Sequence, residues 1–293
     1  MNNKKILITG GAGFVGTNLI RHLLEKTDHK IISLDNYTSG SKKNHVKNTR
    51  VKYVKGDTRN ISKLIKKPNQ IKTIFHFGEF SRIYQSFLNM NECIESNTVG
   101  SNSIFNFCLK NKIKLIYSAT SASLGNKGND KNLSPYAFSK AKNLELLENL
   151  KKWFNFKYEI IYFYNVYGPN QICKGHMSTV IGIFEDHYKR NKPLPVVRPG
   201  TQSRRFTHID DTIKICYMAW KKNLCRHYSI SNKKSYSIID VAKLFESKVK
   251  YLPKRAGERF ASALTNKNLS NKIYKYFGEI SLKKYIKDFI KNN

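Results

Sequence analysis

A tyrosine and a lysine one helical turn apart are the residues of this chain best placed for acid–base chemistry. Tyr136 and Lys140 are four residues apart in a segment whose pattern predicts a helix over about 136–154, so they share one helix face. An ammonium group beside a phenol lowers the pKa of the tyrosine from its usual value of about 10. The spacing therefore predicts that Tyr136 accepts a proton near neutral pH, although two exposed side chains of an ordinary helix would show the same spacing.

Two hydroxyl residues, Thr120 and Ser121, follow a predicted strand over 112–118. Further strands are predicted over 6–8, 30–35, 51–57, 71–78 and 158–163, in alternation with helical segments. This alternation indicates an α/β fold with a Rossmann-type, doubly wound parallel sheet. In such sheets the chemistry collects beyond the carboxyl ends of the strands, which is where Thr120 and Ser121 are expected.

A glycine-rich turn links the first strand to the first helix. Gly10, Gly13 and Gly16 stand in the sequence TGGAGFVG, and the apolar residues of 19–24 then recur with a helical period. In this context the first glycine permits a tight turn, the second lets the backbone approach a pyrophosphate, and the third lets helix and strand pack closely. Backbone N–H groups at the helix start would face the negative charge. An ordinary glycine-rich turn is the alternative.

A carboxylate at the end of the second strand supports a dinucleotide site. Asp35 lies 19 residues after Gly16, close to the spacing of an acid that binds the ribose hydroxyls of adenosine. A carboxylate there repels a 2′-phosphate, so NAD is favoured over NADP, and the alternative for Asp35 is a solvated turn acid. Asp57, at the end of the third strand, is expected to receive the adenine amino group, to cap a helix, or both. Gly78 is expected to leave bare backbone beside the cofactor.

Composition narrows the class of protein. The 293 residues carry a formal net charge of +33, and no basic block forms a recognised nucleic-acid module. We therefore expect a solvated, lysine-rich surface that attracts anionic nucleotides, and no nucleic-acid partner. No apolar run approaches the ~20 residues that span a bilayer, and no signal-peptide segment is apparent, so no membrane partner is expected. Five scattered cysteines without a CxxC pair predict neither a metal site nor disulfides, and favour a cytoplasmic location.

Taken together, the motifs resemble those of the extended short-chain dehydrogenases/reductases, in the NAD-dependent nucleotide-sugar epimerase/dehydratase group. They cover nearly the whole chain. The matching segments are TGGAGFVG (9–16), LDNYTSG (34–40), GD (56–57), HFG (76–78), NTVGS (97–101), SATSASLG (118–125), SPYAFSK (134–140), NVYGP (165–169), GTQSRRFTHIDD (200–211) and RAGE (255–258).

The resemblance implies a catalytic triad of Thr120, Tyr136 and Lys140 that acts on a nucleotide sugar. Thr120 would hydrogen-bond the sugar 4-hydroxyl, and Tyr136 would remove its proton as hydride leaves C4 for the nicotinamide of NAD. Lys140 would hold the nicotinamide ribose and tune the tyrosine. In a 4-epimerase the keto-sugar then turns over in the pocket, and the hydride returns to its other face.

The resemblance also implies two sets of binding residues and two domains. The NAD site would comprise Gly10, Gly13, Phe14, Val15, Gly16, Asp35, Asn36, Asp57, Thr58, Phe77, Gly78, Asn97, Tyr136 and Lys140. The substrate site would comprise Ser81, Arg82, Thr120, Ser121, Asn165, Arg204 and Arg255, of which Asn165, Arg204 and Arg255 would contact the diphosphate. We expect an NAD-binding domain over 1–168, to which 205–230 returns, and a smaller C-terminal α/β lobe over 169–293 that binds the nucleotide sugar.

Three departures from the family pattern bear on the reaction. The 4,6-dehydratases carry Asp-Glu directly after the catalytic threonine, whereas Ser121 and Ala122 stand here, which disfavours a dehydratase. Glu79 replaces the second alanine of the usual HLAA; it is expected near the cofactor phosphates, with Arg82 either neutralising it or reaching the substrate. Arg205 replaces the aspartate of the common RDF, which affects how that loop is held.

The favoured interpretation is an NAD-dependent UDP-hexose 4-epimerase. A nucleotide-sugar 4-reductase or 4,6-dehydratase of the same fold is the alternative, and a non-catalytic NAD-binding regulator is the alternative from another class. The resemblance further implies a homodimer, formed by the helices near 97–111 and 136–154.

Overall fold

The computed structural model describes residues 4–124, 132–257 and 273–293. Strands and helices alternate through most of this part of the chain. The strands are β1 (Lys5–Thr9), β2 (Ile31–Asp35), β3 (Val51–Lys55), β4 (Ile71–His76), β5 (Lys114–Thr120), β6 (Tyr158–Phe163), β7 (Val166–Tyr167), β8 (Leu194–Val197), β9 (Ser203–Arg205), β10 (Thr207–His208), β11 (His227–Ser231), β12 (Ser235–Ser237), β13 (Val249–Leu252) and β14 (Ile273–Phe277). The helices are α1 (Phe14–Lys26), α2 (Ile61–Leu64), α3 (Ile83–Leu88), α4 (Met90–Ile94), α5 (Ser101–Lys110), α6 (Pro135–Phe154), α7 (Val180–Lys189), α8 (Ile209–Lys222), α9 (Ile238–Leu244) and α10 (Leu282–Lys291).

Eight strands form the central sheet, in the order β14–β11–β6–β5–β4–β1–β2–β3. The neighbouring strands of this sheet pair in parallel. The strand order reverses beside β1, whose neighbours are β2 and β4, and a ligand crevice forms at such a switch point. The predicted Rossmann-type, doubly wound sheet is thereby confirmed.

The strands are apolar on both faces because helices cover both sides of the sheet. Along β1, Leu7 packs into the core on one face, whereas Ile6 and Ile8 pack into the core on the other. All three side chains are fully buried, which explains why this strand reads as an uninterrupted apolar run.

The second half of the chain builds a third apolar cluster from α7, α9, α10 and the parallel pair β8–β13. Phe184, Phe245 and Ile286 are fully buried within it. In the same half, β11 and β14 return to the central sheet, where they extend it beyond β6. The division into domains at residue 168 stays a prediction.

The helix predicted near 97–111 has an irregular start. A π-helical turn, Glu95–Gly100, precedes α5.

Within residues 4–124, 132–257 and 273–293, no helix is both long and apolar enough to cross a bilayer.

Candidate active site

A cavity of about 670 Å³ lies where the carboxyl ends of the central strands meet the second half of the chain. This volume is in the range of small-molecule and cofactor sites. Apart from Asn97, every residue assigned to the NAD and substrate sites lines it. Residues of the two predicted sites that are as far apart in sequence as Gly10 and Arg255 therefore line the same cavity.

The glycine turn has the geometry that a dinucleotide requires. Gly10 has φ +68°, and a Cβ there would lie 2.9 Å from the backbone of Gly78. A Cβ on Gly16 would lie 2.2 Å from the carbonyl oxygen of Gly10, so both positions exclude a side chain. A Cβ on Gly13 would meet only that same oxygen, at 3.2 Å, and would otherwise point into open space beside the cavity. This bare surface at the start of α1 fits a pyrophosphate.

Two carboxylates and one amide define the neighbouring stretch of the cavity. Asp35 accepts hydrogen bonds from the backbone N–H groups of Ala12 (2.9 Å) and Tyr37 (2.8 Å). Burial raises the pKa of Asp35, and these two N–H groups oppose that rise. Asp57 accepts a hydrogen bond from the side chain of Asn36 at 3.3 Å. Each carboxylate oxygen has a second lone pair, so these groups fit the hydroxyl and amino donors of an adenosine.

Asp57 both lines the cavity and caps a turn, as the sequence allowed. Its side chain accepts from the backbone N–H of Arg59, which begins the 3₁₀ turn Thr58–Asn60. Burial raises the pKa of Asp57, but hydrogen bonds from Arg59 outweigh burial and leave that pKa lowered.

Thr120 and Tyr136 meet across the cavity. Thr120 is the last residue of β5, and Tyr136 lies in the first turn of α6, which Ser134 caps by accepting from the backbone N–H of Ala137 at 3.0 Å. The side chains of Thr120 and Tyr136 hydrogen-bond each other. The two hydroxyls thus converge at the carboxyl edge of the sheet.

Lys140 lies one helical turn after Tyr136 and is almost fully buried. Its ammonium group forms an ion pair with Glu79, donates to the carbonyl oxygen of Ser118, and lies 4.5 Å from the ring centroid of Tyr117. Burial lowers the pKa of Lys140, whereas the negative charge of Glu79 opposes that change. Lys140 therefore has a buried counter-charge within the protein itself.

Glu79 is the center of a hydrogen-bond network that sequence reasoning did not find. Its side chain is 2% exposed, and its Oε1 accepts from Ser101 (2.7 Å), Tyr117 (2.9 Å) and Asn143 (3.3 Å). Of the two roles expected for Arg82, neutralising Glu79 is wrong, because Lys140 is the ion-pair partner of Glu79. The expected place of Glu79 near the cofactor phosphates stays a prediction. The signal available in the sequence was the replacement of a usual alanine by an acid.

The pKa of Tyr136 moves in the direction opposite to the one predicted. Burial raises it to about 12, the hydrogen bond with Thr120 lowers it, and the charge of Glu79 raises it further. The prediction that Lys140 lowers this pKa toward neutrality is wrong. The main physical reason is the burial of the phenol, and the pairing of Lys140 with Glu79 adds to it.

Asn97 lies behind the cavity and does not line it. Its buried amide accepts from the backbone N–H of Phe80 (2.7 Å) and donates to the Phe80 carbonyl (3.0 Å) and to Ser139 Oγ (3.1 Å). Asn97 therefore ties the segment after β4 to α6, and the structure does not bring it to the predicted NAD site.

Arginine side chains line the remainder of the cavity. Arg82 and Arg204 lie along it, and Arg255 lies there too, with its guanidinium 4.9 Å from the ring centroid of Tyr84. Arg205 donates to the carbonyls of Asn232 (2.9 Å) and Lys233 (2.7 Å). The arginine that replaces the usual aspartate thus holds its loop through backbone carbonyls.

The comparison of this chain with known sequences gives its family. Residues 6–231 match the sequence model described as the NAD dependent epimerase/dehydratase family. The chain belongs to this family. NAD is accordingly its cofactor, as the glycine turn and Asp35 predicted. The match spans β1 to β11, and so includes the glycine turn, Thr120, Tyr136 and Lys140.

Similar proteins include epimerases and a dehydratase. A putative UDP-glucose 4-epimerase of Methanocaldococcus jannaschii is 29% identical over 308 residues, covering 98% of this chain and 99% of that protein. The UDP-glucose 4-epimerase of Thermotoga maritima, solved with UDP-glucose, has a TM-score of 0.84 at 22% identity, covering 98% of this chain and 97% of that one. A dTDP-glucose 4,6-dehydratase of Streptomyces venezuelae, solved with NAD, has a TM-score of 0.86 at 21% identity, covering 99% and 97%. The fold is therefore shared by both reaction types.

Proposed function

We propose that this protein is an NAD-dependent nucleotide-sugar 4-epimerase that acts on a UDP-hexose. The observation that carries the proposal is the convergence of Thr120, Tyr136 and Lys140 on one cavity together with the glycine turn. The relative in Methanocaldococcus jannaschii, which aligns over nearly its whole length, supports the choice of reaction.

Each of the three residues has a separate role in moving the proton of the sugar 4-hydroxyl. Thr120 accepts or donates one hydrogen bond at the sugar 4-hydroxyl and orients it toward Tyr136. Tyr136 takes the proton of that hydroxyl as C4 is oxidised and gives it back when C4 is reduced. Lys140 keeps positive charge beside the phenol and has a donor left for a ribose hydroxyl, since an ammonium group has three.

The chain's own residues also hold the two ligands. The glycine turn, Asp35 and Asp57 would bind NAD, which when bound supplies the hydride acceptor and donor for C4. Asn165, Arg204 and Arg255 would bind the diphosphate, for which guanidinium groups offer paired donors. Ser81 and Ser121, which line the same cavity, would contact the sugar.

Two residues disfavour the dehydratase alternative. Elimination of water needs an acid and a base beside the sugar, and the positions after Thr120 hold Ser121, which lines the cavity, and the buried Ala122. Neither side chain carries a carboxyl group that could remove a proton from the adjacent carbon.

The test is an NMR assay of UDP-glucose and UDP-galactose with purified protein and no added reductant. Interconversion to an equilibrium mixture is expected. Consumption of one NADH per product would instead identify a reductase, and a keto-sugar product with loss of water would identify a dehydratase. If NAD binds but no nucleotide sugar reacts, the chain is a non-catalytic regulator and the proposal fails.

We also propose a cytoplasmic homodimer built on α5 and α6. Apolar Val99 and Phe138 are 49% and 43% exposed on or beside these helices, whereas Ile104 and Leu147 are buried in the core and unavailable for an interface. Light scattering of the wild type should give the mass of two chains, and the double variant Val99→Glu with Phe138→Glu should give the mass of one. A monomeric wild type would refute the dimer.

The five cysteines are free, which supports the proposed location in a reducing compartment, the cytoplasm.

A further inference from the structure

Arg82 is a positively charged group in the cavity, and within the part of the chain that the structure describes it has no acidic partner. Its Nε donates to the carbonyls of Met177 (2.9 Å) and Ser178 (3.1 Å), and its Nη1 donates to the Ser81 carbonyl (2.8 Å) and Oγ (3.4 Å). Within 4–124, 132–257 and 273–293, its Nη2 donates no hydrogen bond and no carboxylate lies within ion-pair distance of the guanidinium. Both N–H groups of Nη2, at the outer end of the guanidinium fork, are thus left for a ligand.

Arg82 and Tyr136 lie close together on the wall of the cavity. Both residues line the cavity, and Tyr136 packs in one buried cluster with Met177, whose carbonyl accepts from Arg82 Nε at 2.9 Å. The backbone N–H of Tyr136 donates to Ser86 Oγ at 3.2 Å, in the helix that follows Arg82. Arg82 follows β4 and lies on the chain segment that also supplies Glu79. It is therefore next to the phenol, and we assign the diphosphate to Arg204 and Arg255.

The two buried cations beside Tyr136 differ in their charge balance. Lys140 is paired with Glu79, which lines the same cavity and accepts hydrogen bonds from Ser101 and Asn143. Among the described residues, the hydrogen-bond partners of the Arg82 guanidinium are neutral carbonyl and hydroxyl groups. A part-buried charge without a counter-charge is costly, and a ligand that brings the missing negative charge recovers that cost.

We propose that Arg82 pairs with a carboxylate carried by the sugar, so that the substrate is a nucleotide hexuronate whose C6 carboxylate lies next to C4. This inference rests on the proposed 4-epimerase function and specifies its substrate. A carboxylate can accept from the N–H groups of Nη2 and brings the negative charge that these partners of Arg82 lack, whereas the hydroxymethyl group of a neutral hexose would leave the positive charge of Arg82 unpaired.

The experiment compares a matched pair of substrates, UDP-glucuronate and UDP-glucose, by NMR with NAD-loaded protein. The wild type is expected to show a kcat/KM at least about 50-fold higher for UDP-glucuronate, with most of the difference in KM. In Arg82→Gln the ratio of the two kcat/KM values should fall to near one. Arg82→Lys, which keeps the charge and loses the fork, should give an intermediate ratio.

A role for Arg82 that is only structural predicts a different result. If its bonds to the carbonyls of Met177 and Ser178 are all that matters, both substrates lose activity equally in Arg82→Gln and the ratio stays at the wild-type value. Arg190→Gln, on an exposed arginine outside the cavity that pairs with Asp186, is the matched control and should keep the wild-type ratio.

The outcomes separate this inference from the proposed function. Faster turnover of UDP-glucose than of UDP-glucuronate in the wild type overturns the inference and leaves the epimerase intact. Turnover of neither sugar refutes the proposed function. If Arg82→Gln does not fold, the intermediate ratio expected of Arg82→Lys decides, and a wild-type ratio in that variant counts against recognition by the fork.

Discussion

Replacing Glu79 by glutamine removes one negative charge beside Lys140 and nearly keeps the shape of the side chain. The amide oxygen can still accept from Ser101, Tyr117 and Asn143, so the network loses mainly its ion pair. In the wild type, Glu79 raises the pKa of Tyr136 directly and also compensates the charge of Lys140. Both effects end in Glu79→Gln, and the pKa of Tyr136 should fall.

The size of this change follows from the arrangement of the three groups. A nearby charge shifts a pKa by ~1–3 units, and burial, not Glu79, is the largest cause of the raised pKa of Tyr136, so we expect the lower end of that range. The acidic limb of the pH profile of kcat/KM reports the base form of Tyr136 in the free enzyme. It should move to lower pH by about one unit, or ~1.4 kcal/mol. Because the pKa of Tyr136 lies above pH 10, the measured effect between about pH 6 and 10 is a kcat/KM that is roughly tenfold higher at each pH.

The assay is the initial rate of epimerisation between about pH 6 and 10, with Glu145→Gln as the matched control. Glu145 lies on the same helix as Lys140, but its side chain is 47% exposed and pairs with Lys142 at the surface. Its removal should leave the profile in place, because water screens that charge. If the acidic limb of the kcat/KM profile does not move in Glu79→Gln, or moves to higher pH, this reasoning is refuted.

Three further predictions concern stability and cofactor binding. Burial lowers the pKa of His76 to about 4, below its unfolded value of about 6.5, so the unfolded chain is protonated at a higher pH than the folded one. The free energy of unfolding, measured with urea, should therefore fall by up to roughly 3 kcal/mol as the pH drops from about 6.5 to about 4. The His76→Gln variant should lack this pH-dependent loss. Glu159 is fully buried, pairs with Lys114 at 2.8 Å and accepts two backbone N–H groups, so Glu159→Ala should cost about 3 kcal/mol in the same assay. Gly16→Ala would place a Cβ 2.2 Å from the carbonyl oxygen of Gly10, and calorimetric titration should show NAD binding weakened roughly tenfold or more.

Each of these three has its own control and contrary result. A His76→Gln variant with the wild-type pH dependence would assign the acid instability to other groups. Glu145→Ala removes an exposed charge and should stay within about 0.5 kcal/mol of the wild type; an equal loss in Glu159→Ala and Glu145→Ala would contradict the role of burial. Gly175→Ala meets no atom within 4 Å, so its NAD affinity should be unchanged despite some strain at φ +83°.

Local sequence was sufficient to predict the glycine turn and the parallel sheet. The turn is set by neighbours in sequence, because Gly10 needs a positive φ and Gly16 needs the absence of a side chain beside Gly10. The strands are set by apolar runs that helices cover on both faces, as in β1. The helix that carries Tyr136 and Lys140, predicted over about 136–154, is found at Pro135–Phe154.

The electrostatics of the site could not be predicted in the same way. Glu79 and Lys140 are 61 residues apart, and their contact depends on how the end of β4 packs against α6. The raised pKa of Tyr136 follows from that packing and from burial, neither of which a four-residue spacing can reveal. The buried position of Asn97 has the same origin, since it is fixed by contacts with Phe80 and Ser139.

The most direct test of the account is Tyr136→Phe, which removes one hydroxyl from the buried phenol and leaves its ring. Calorimetric titration should show NAD bound as tightly as in the wild type within a few-fold, while the rate of sugar epimerisation followed by NMR falls by about 10²–10⁴. A variant that binds NAD and epimerises at the wild-type rate would contradict the account, because the proton would then be moved by another group.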